Sequence, residues 1–313
     1  MTHAIMSSLL TFKHLMFMAP NITTLLKMVT EDEFVEAKEN LKIREMVMWH
    51  KKFVWRTNIF FIVTTYVVVY CLTPQEVILE YLASRQSSSN ETELPERLIL
   101  FWVPFDKQKY FYPTMVYQLY LLFQIGAQNY ASLGLQITLI TYIILKFKIL
   151  RHLIRNFNKD STSEADILRV LGQLSHKHQI IIDFVQKMHT SFKLVLLIEY
   201  SASSLILASA TIQIIQGNKV AFFLFYECLF MFQLFLLSWK SEQIKTQSLM
   251  VGTTLYESDW YLYNTKVRRI VLFMMLRSNK ALTLNIGPFG PNTMEAAMTR
   301  VKLGYSYVTL MSS

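Results

Sequence analysis

Long uncharged stretches of apolar residues recur along the chain, and their lengths match the thickness of a membrane. Residues 57–75 and 200–218 contain no Lys, Arg, Asp or Glu, and residues 110–145 form an uncharged run of 36 residues. Between Val220 and Lys240 the only internal charge is Glu227. A helix needs about 20 apolar residues to cross a hydrocarbon core of roughly 30 Å. The pattern therefore predicts an all-α, polytopic membrane helix bundle, and it excludes a soluble enzyme core.

About six apolar segments can be assigned to a single membrane domain that covers residues 1–313. They comprise residues 4–28, 57–73, 114–145, 193–216, 220–239 and 292–311. The first contains Lys13 and Lys27, so a helix lying on the membrane surface is the alternative to a span. The last contains Glu295, Arg300 and Lys302. These charges are typical of a helix shielded by protein rather than exposed to lipid, and a surface helix is the alternative.

The basic residues are concentrated in alternating connections, which predicts an orientation in the membrane. Of the 31 Lys and Arg residues, 22 lie in residues 29–56, 146–193 and 240–290, against 5 in the intervening connections. Because Lys and Arg are retained on the cytoplasmic side, these three segments are predicted to be cytoplasmic. The C-terminus and residues 73–113 are then extracellular. Asn90, in the sequence Asn-Glu-Thr, is a candidate glycosylation site.

The net charge of +9 is explained by the basic residues of the predicted cytoplasmic segments, so we expect no nucleic acid partner. Two cytoplasmic segments, residues 146–192 and 262–284, show apolar residues at helical spacing. The uncharged run that precedes the first would be about 54 Å long as a helix, which exceeds the bilayer. We therefore expect this span to continue into the cytoplasm and to return as a second long helix. The cytoplasmic helices pack against neighbouring subunits or, alternatively, lie on the lipid headgroups.

The chain contains none of the sequence motifs typical of enzymes or metal sites. HExxH, CxxC, P-loop and GxGxxG motifs are all missing. We therefore expect no enzymatic activity, no cofactor and no metal. Glu227, an acid inside an apolar span, is either a contact of a ligand pocket or gate, or a structural acid that forms an interhelical hydrogen bond or lies near an aqueous vestibule. The sequence Gly287-Pro-Phe-Gly290 is predicted to interrupt the helices before the last span.

Several short sequences in the C-terminal third carry a resemblance to a known family. They are Phe232–Trp239 followed by Glu242, Asp259-Trp-Tyr261, residues 275–284 followed by Gly287 and Phe289, and Glu295 followed by Tyr305-Ser-Tyr307. These sequences resemble the insect odorant receptor family. The sequences Trp102–Asp106 and Leu150–Phe157 extend the resemblance over essentially the whole chain. Family members have seven spans, so the resemblance also implies that a first span is missing here.

The resemblance implies a subunit of a ligand-gated, non-selective cation channel that detects odorants. Such a subunit assembles as a heterotetramer with the family's co-receptor, in the plasma membrane of sensory-neuron dendrites, among membrane lipids. Its ligand is a small volatile organic molecule bound in an apolar, aromatic pocket in the extracellular half. Candidate pocket residues are Met16, Phe17, Tyr66, Tyr70, Tyr117, Tyr120, Phe223 and Tyr226. Candidate pore or gate residues are Leu303, Ser306, Tyr307 and Leu310, of which Leu310 matches the family's gate position.

Three alternatives belong to other classes of membrane protein. A G-protein-coupled receptor would place the C-terminus inside, against the distribution of basic residues. A transporter would show internal repeats with segments broken by Gly or Pro in both halves. A gustatory receptor shares the topology but typically closes with Gln-Phe, which does not follow Tyr307.

Overall fold

The fold is helical throughout the part of the chain that the computed structural model describes. That part comprises residues 22–23, 25–29, 41–67, 110–157, 163–217 and 220–312. Its long helices are α1 (Leu41–Tyr66), α2 (Phe111–Arg155), α3 (Glu164–Ile215), α4 (Val220–Tyr256), α5 (Thr265–Ser278) and α6 (Met294–Ser312). These residues contain no β-strand, only an isolated bridge between Asn285 and Pro291. The predicted all-α fold is confirmed.

Three of these helices are long and apolar enough to cross a membrane. They are α3, α4 and the part of α2 from Leu119 to Arg155. The chain is therefore a multi-pass membrane protein. Residues 4–21 and 68–73 of the predicted spans lie outside the described residues. The total of about six spans and their orientation stay predictions.

The three spanning helices extend well beyond the thickness of a bilayer. They contain 45, 52 and 37 residues in α2, α3 and α4, which corresponds to about 68, 78 and 56 Å at 1.5 Å per residue. As expected, the uncharged run continues as one helix to Arg155, and a second long helix follows it. That these extensions lie in the cytoplasm stays a prediction. Ser163 begins the returning helix, because its hydroxyl accepts a hydrogen bond from the Asp166 amide at 3.2 Å.

Contacts divide the chain into two compact units. Among the described residues, the first unit contains 55–67, 110–135, 209–217 and 220–229. The second contains 22–23, 25–29, 41–54, 136–157, 163–208 and 230–312. The single membrane domain inferred from the sequence stays a prediction.

The core of the second unit is built around the C-terminal half of α2. Ile137, Ile140, Phe147, Leu150 and Ile154 are all at most 1% exposed. A helix that is apolar on every side is buried on every side. The last part of the uncharged run, from residue 132 to residue 145, is mostly covered by protein.

The predicted cytoplasmic helix over residues 262–284 ends earlier than expected. The helix α5 stops at Ser278, and Asn279 follows as its C-cap. Beyond it, Leu282, Leu284 and Ile286 are buried on alternate positions of a non-helical segment. Leu282 alone fits the spacing of a helix. The buried residues at positions 282, 284 and 286 instead repeat every two residues, which is the spacing of an extended chain. The turn predicted at Gly287-Pro-Phe-Gly290 is present as a 3-10 helix over Gly287–Phe289.

Candidate functional site

Four of the predicted site residues lie outside the described part of the chain. They are the pocket candidates Met16, Phe17 and Tyr70 and the glycosylation candidate Asn90. The remaining pocket candidates all belong to the first unit. The glycosylation site and the pocket therefore stay predictions, and the structure describes only some of the pocket candidates.

The described tyrosines of the predicted pocket on α1 and α2 are exposed in the single chain. Tyr66, Tyr117 and Tyr120 are 46%, 51% and 59% exposed. The Tyr66 ring packs against the Phe123 ring, with the ring centroids 5.6 Å apart and tilted by 53°. This pair joins α1 to α2 and forms an aromatic surface.

A second aromatic surface of the first unit lies on α4. The Phe222 ring stacks with the Tyr226 ring at 6.4 Å and meets the Phe223 ring edge-on at 5.3 Å. Residues three and four apart share one face of a helix. Phe222, which the sequence did not single out, therefore brings the two predicted pocket residues of α4 into one cluster.

Glu227 forms an interhelical hydrogen bond. The Thr211 hydroxyl of α3 donates to the Glu227 carboxylate at 3.1 Å. The half-buried acid thus has a polar partner inside the apolar span, which lowers the free-energy penalty of placing it there. Of the two alternatives drawn from the sequence, this contact supports the hydrogen bond.

One polar atom of the first unit was missed by the sequence reasoning. The Asn58 side-chain oxygen on α1 is buried, and no described group donates a hydrogen bond to it. It lies against α2 at Gly134, where an added Cβ atom would be 2.9 Å from it. Gly134 therefore permits this close approach. An unsatisfied acceptor is the kind of group that orients a ligand in an apolar pocket.

The last helix, α6, has one buried face and one exposed face. Ala297, Gly304 and Val308 lie on the buried face. A Cβ atom at Gly304 would lie 3.2 Å from the Leu207 Cβ and 3.3 Å from the Ser204 carbonyl oxygen of α3. The absence of a side chain thus allows the two helices to approach closely, as small residues do between membrane helices.

The predicted pore or gate residues lie on the opposite face of α6. Leu303, Tyr307 and Leu310 are 40%, 41% and 73% exposed in the single chain, and Ser306 is exposed with them. Positions 303, 306, 307 and 310 follow the helical repeat and share one side. The packing of α6 on α3 therefore leaves these four side chains uncovered.

A buried polar cluster holds the beginning of α6. Its members are Ser238, Ser241, Asn292 and Arg300, which we call the Asn292 cluster. The Asn292 side-chain oxygen, Oδ1, accepts hydrogen bonds from the Ser238 hydroxyl and from the Arg300 guanidinium, both at 3.1 Å. The Asn292 amide group donates to the Ser241 hydroxyl at 3.1 Å. The Glu242 carboxylate next to the cluster accepts the Met294 amide at 3.2 Å. Together these contacts attach α6 to α4.

Arg300 is shielded by protein, as the pattern of charges in the last span predicted. Its side chain is 3% exposed, and its guanidinium lies 4.6 Å from the Tyr200 ring centroid. Tyr200 stacks in turn on Phe289 at 5.0 Å. The contact combines a cation–π interaction with hydrogen bonding to Asn292. Glu295 and Lys302, by contrast, are exposed in the single chain.

Two histidines of α3 lie in its predicted cytoplasmic part and are partly or fully buried. Burial, and then the nearby Arg277 charge, lowers the pKa of His178 to about 4. Burial and Lys193 also lower the pKa of His189, whose Nδ1 accepts the Asn285 amide at 3.3 Å. Both imidazoles are neutral at pH 7. Among the described residues, no group of three or more His, Cys, Asp or Glu side chains could hold a metal ion.

These features define a helical, multi-pass membrane protein whose last helix is attached by small and polar residues on one side and uncovered on the other. The chain belongs to the 7tm odorant receptor family, because the model of that family matches residues 1–305. The resemblance drawn from the C-terminal motifs is confirmed. Membership favours the odorant receptor interpretation over the gustatory, G-protein-coupled and transporter alternatives.

Individual relatives are similar over part of their length. Odorant receptor 22c of Drosophila melanogaster is 26% identical over 152 residues, which covers 48% of this chain and 38% of the relative. Odorant receptor Or2 of Anopheles gambiae is 21% identical over 152 residues, which covers 48% of this chain and 40% of the relative. The matches thus span about two fifths of the length of these curated relatives.

Solved structures share the fold over almost the entire chain. The insect olfactory receptor OR5 from Machilis hrabei, in complex with eugenol, superimposes with a TM-score of 0.74 at 16% identity. The match covers 99% of this chain and 78% of that receptor. A second structure of the same receptor gives a TM-score of 0.75 at 15% identity. At this level of identity the likeness shows the fold.

Proposed function

We propose that this chain is an odorant-binding subunit of a heteromeric, ligand-gated, non-selective cation channel. Family membership supports detection of a small volatile organic molecule. The observation that carries the channel role is the uncovered face of α6. The chain would act as one membrane domain in the plasma membrane of sensory-neuron dendrites, with its C-terminus outside. An epitope tag at the C-terminus tests the orientation, since it should bind antibody in cells that have not been permeabilised.

The uncovered face of α6 has the composition of a hydrophobic gate. Leu303, Tyr307 and Leu310 are apolar or aromatic, and Leu310 is 73% exposed. Such a face is expected to meet the same helix of other subunits around a central axis. An apolar constriction closes a pore because water leaves it. Leu310 is then the residue whose polarity sets the barrier.

Replacing Leu310 by Ser tests this arrangement. We expect a partial increase in resting cation current in cells that express the subunit with its co-receptor, because a hydroxyl lowers the barrier to wetting. Leu205→Ser is the matched control, since Leu205 on α3 is also exposed, at 58%, and lies in another predicted span. The gate assignment is wrong if both variants reach the surface and neither changes resting current, permeability or gating.

We propose that the aromatic surfaces of the first unit contribute to the odorant pocket. The pair of Tyr66 and Phe123 and the α4 cluster of Phe222, Phe223 and Tyr226 supply rings for an apolar ligand. The unsatisfied Asn58 oxygen supplies an acceptor for a hydroxyl group. The solved receptor in complex with eugenol suggests eugenol, a phenol, as a first probe.

Alanine variants of Tyr66 and Tyr226 test the pocket. Each should raise the half-maximal ligand concentration severalfold while leaving ion selectivity unchanged, because the loss is confined to ligand contacts. Tyr256→Ala is the control, since Tyr256 lies at the other end of α4 and is 72% exposed. Unchanged sensitivity of both pocket variants across several activating odorants would exclude the assignment.

The co-receptor is the proposed partner in a heterotetramer. The test is a screen of volatile molecules for inward current in cells that express this chain with the co-receptor, this chain alone, or the co-receptor alone. We expect odorant-dependent current only in the first combination. Strong ligand-gated current from this chain alone would contradict the heteromeric assembly.

A further inference from the structure

A cavity in the second unit is lined by none of the residues proposed above. Its volume is about 440 Å³, and its walls come from α1, α2 and α4. This volume lies within the range of small-molecule sites in proteins. The side chains that give it its chemistry are Glu45 and Trp49 of α1, Lys148 of α2, and Trp239 and Lys240 of α4.

Lys240 is a buried cation in contact with aromatic rings. Its side chain is 4% exposed, and its ammonium nitrogen lies 3.9 Å from the Phe53 ring centroid and 4.5 Å from the Trp239 ring centroid. No acidic side chain among the described residues forms an ion pair with it. Lysines are rarely buried without a charged partner. An anion in the cavity would supply that partner.

A second lysine adds positive charge to the same cavity. The ammonium nitrogen of Lys148 lies 5.5 Å from the Trp49 ring centroid. Glu45 is the single acid of the lining, and it is exposed. Two lysines held over tryptophan rings thus outnumber the one carboxylate. The cavity favours an anionic group beside an apolar one.

The sequence around the cavity indicates that it lies at the cytoplasmic edge of the bilayer. The apolar run of α4 ends at Trp239, and Lys240 is the first basic residue of the segment predicted to be cytoplasmic. Trp49 and Trp239 are 59% and 43% exposed, and tryptophan is enriched at membrane interfaces. Basic pockets between membrane helices on the cytoplasmic side bind anionic lipid headgroups.

We propose that this cavity binds the headgroup of an anionic phospholipid of the cytoplasmic leaflet. Lys148 and Lys240 contact the phosphate oxygens, and Trp49 and Trp239 contact the apolar part of the lipid next to the headgroup. The site belongs to the second unit alone. Its occupation does not depend on the odorant or on the proposed channel activity.

Lipid binding to the purified full chain tests the proposal. Native mass spectrometry would measure the affinity for short-chain phosphatidylinositol 4,5-bisphosphate, for short-chain phosphatidylcholine and for soluble inositol 1,4,5-trisphosphate. We expect the anionic lipid to bind at least tenfold more tightly than either of the other two. A lysine near a membrane surface contributes about a fivefold gain in affinity for anionic lipid. Lys148→Gln should therefore weaken binding about fivefold, and Lys148→Gln with Lys240→Gln about 30-fold.

Two further variants separate a lost contact from a damaged fold. Glu45→Gln removes the acid of the cavity and should strengthen binding of the anionic lipid severalfold, which a misfolded protein cannot do. Lys146→Gln is the matched control, because Lys146 lies two residues before Lys148 on α2, over the Tyr142 ring and outside the cavity lining. It should leave the affinity unchanged.

Three results would overturn the proposal. Equal binding of phosphatidylcholine would show that charge is not recognised. Equal binding of soluble inositol trisphosphate would assign the cavity to a free anion rather than a lipid. Full affinity in the double lysine variant would place the lipid elsewhere on the protein.

Discussion

Replacing Gly304 by leucine is expected to separate α6 from α3. A Cβ atom at Gly304 would lie 3.2 Å from the Leu207 Cβ and 3.3 Å from the Ser204 carbonyl oxygen. A main-chain oxygen cannot turn away as a side chain can, so the helices must move apart to admit a larger residue. Overpacking of this kind costs about 1–3 kcal/mol. Leucine also favours the helix over glycine by up to about 1 kcal/mol of free energy.

The chain offers a control that isolates the packing contribution. Gly172 lies in α3, and an added Cβ atom there would meet nothing within 4 Å. Gly172→Leu should gain the same helix propensity without any overpacking. The difference in unfolding free energy between the two variants, about 1–3 kcal/mol, is then the packing contribution alone. Gly304→Ala should be close to neutral, because a shift of a few tenths of an ångström is offset by the propensity gain.

These differences are measured by heating the detergent-purified protein to a series of temperatures. Size-exclusion chromatography then gives the fraction that is still folded at each temperature. We expect Gly304→Leu to unfold a few degrees below the parent and Gly172→Leu to unfold at or above it. In cells, Gly304→Leu should also reduce odorant-gated current more than it reduces surface expression, because it moves the uncovered face of α6. Equal midpoints for the two leucine variants would refute close packing between α6 and α3.

Two further predictions concern buried polar groups. Asn292→Ala should destabilise the protein by about 3 kcal/mol or more, because it leaves the Arg300 guanidinium without its acceptor. Ser238→Ala should destabilise it by only about 1 kcal/mol. Thermal midpoints that fall equally in the two variants would contradict the central role of Asn292. The pKa of His178 is lowered to about 4 in the folded state, so the unfolded chain binds its proton first as the pH falls. Stability should be lost between about pH 6.5 and pH 4, by up to about 3 kcal/mol. His178→Gln should remove this loss, and an unchanged pH profile in the variant would exclude His178 as its source.

The helical architecture could be predicted because the membrane leaves few alternatives. An apolar run without charges must satisfy its own backbone hydrogen bonds, and a helix does this within one segment. The apolar parts of α2, α3 and α4 followed from that argument. The continuation of α4 from residue 240 to Tyr256 was not predicted. Of the three charges in the last segment, Arg300 is shielded by protein and Glu295 and Lys302 are exposed. The prediction of a shielded helix therefore stays open. Both inferences depend on the environment of a residue and not on its partners.

The early end of α5 could not be predicted because its cause lies elsewhere in the chain. The Leu282 amide donates to the Ser248 hydroxyl of α4 at 3.1 Å, and the Asn285 amide donates to His189 of α3. These side chains accept the Leu282 and Asn285 amides, which would donate to main-chain carbonyls if the helix continued. The partners are 34 and 96 residues away, so periodicity within the segment carries no sign of them.

The candidate sites divide in the same way. The uncovered face of α6 followed from helical spacing, which positions 303, 306, 307 and 310 share. The pocket residues could not be predicted as specifically, because 22 Phe and 16 Tyr residues give many aromatic candidates. Phe222 and Asn58 gain significance only from tertiary contacts. The cavity with Lys148 and Lys240 likewise depends on three helices meeting.

The attachment of α6 has a consequence for the order in which the chain is made. Ser238, Ser241 and Glu242 of α4 leave the ribosome more than fifty residues before Asn292 and Met294, their hydrogen-bonding partners. Until the final segment is synthesised, α4 carries three polar side chains inside the bundle that lack these contacts. A premature stop in the last few dozen codons would therefore remove α6 and leave these side chains of α4 without their contacts. We expect such a product to be retained inside the cell, so that export of the whole chain requires the last helix.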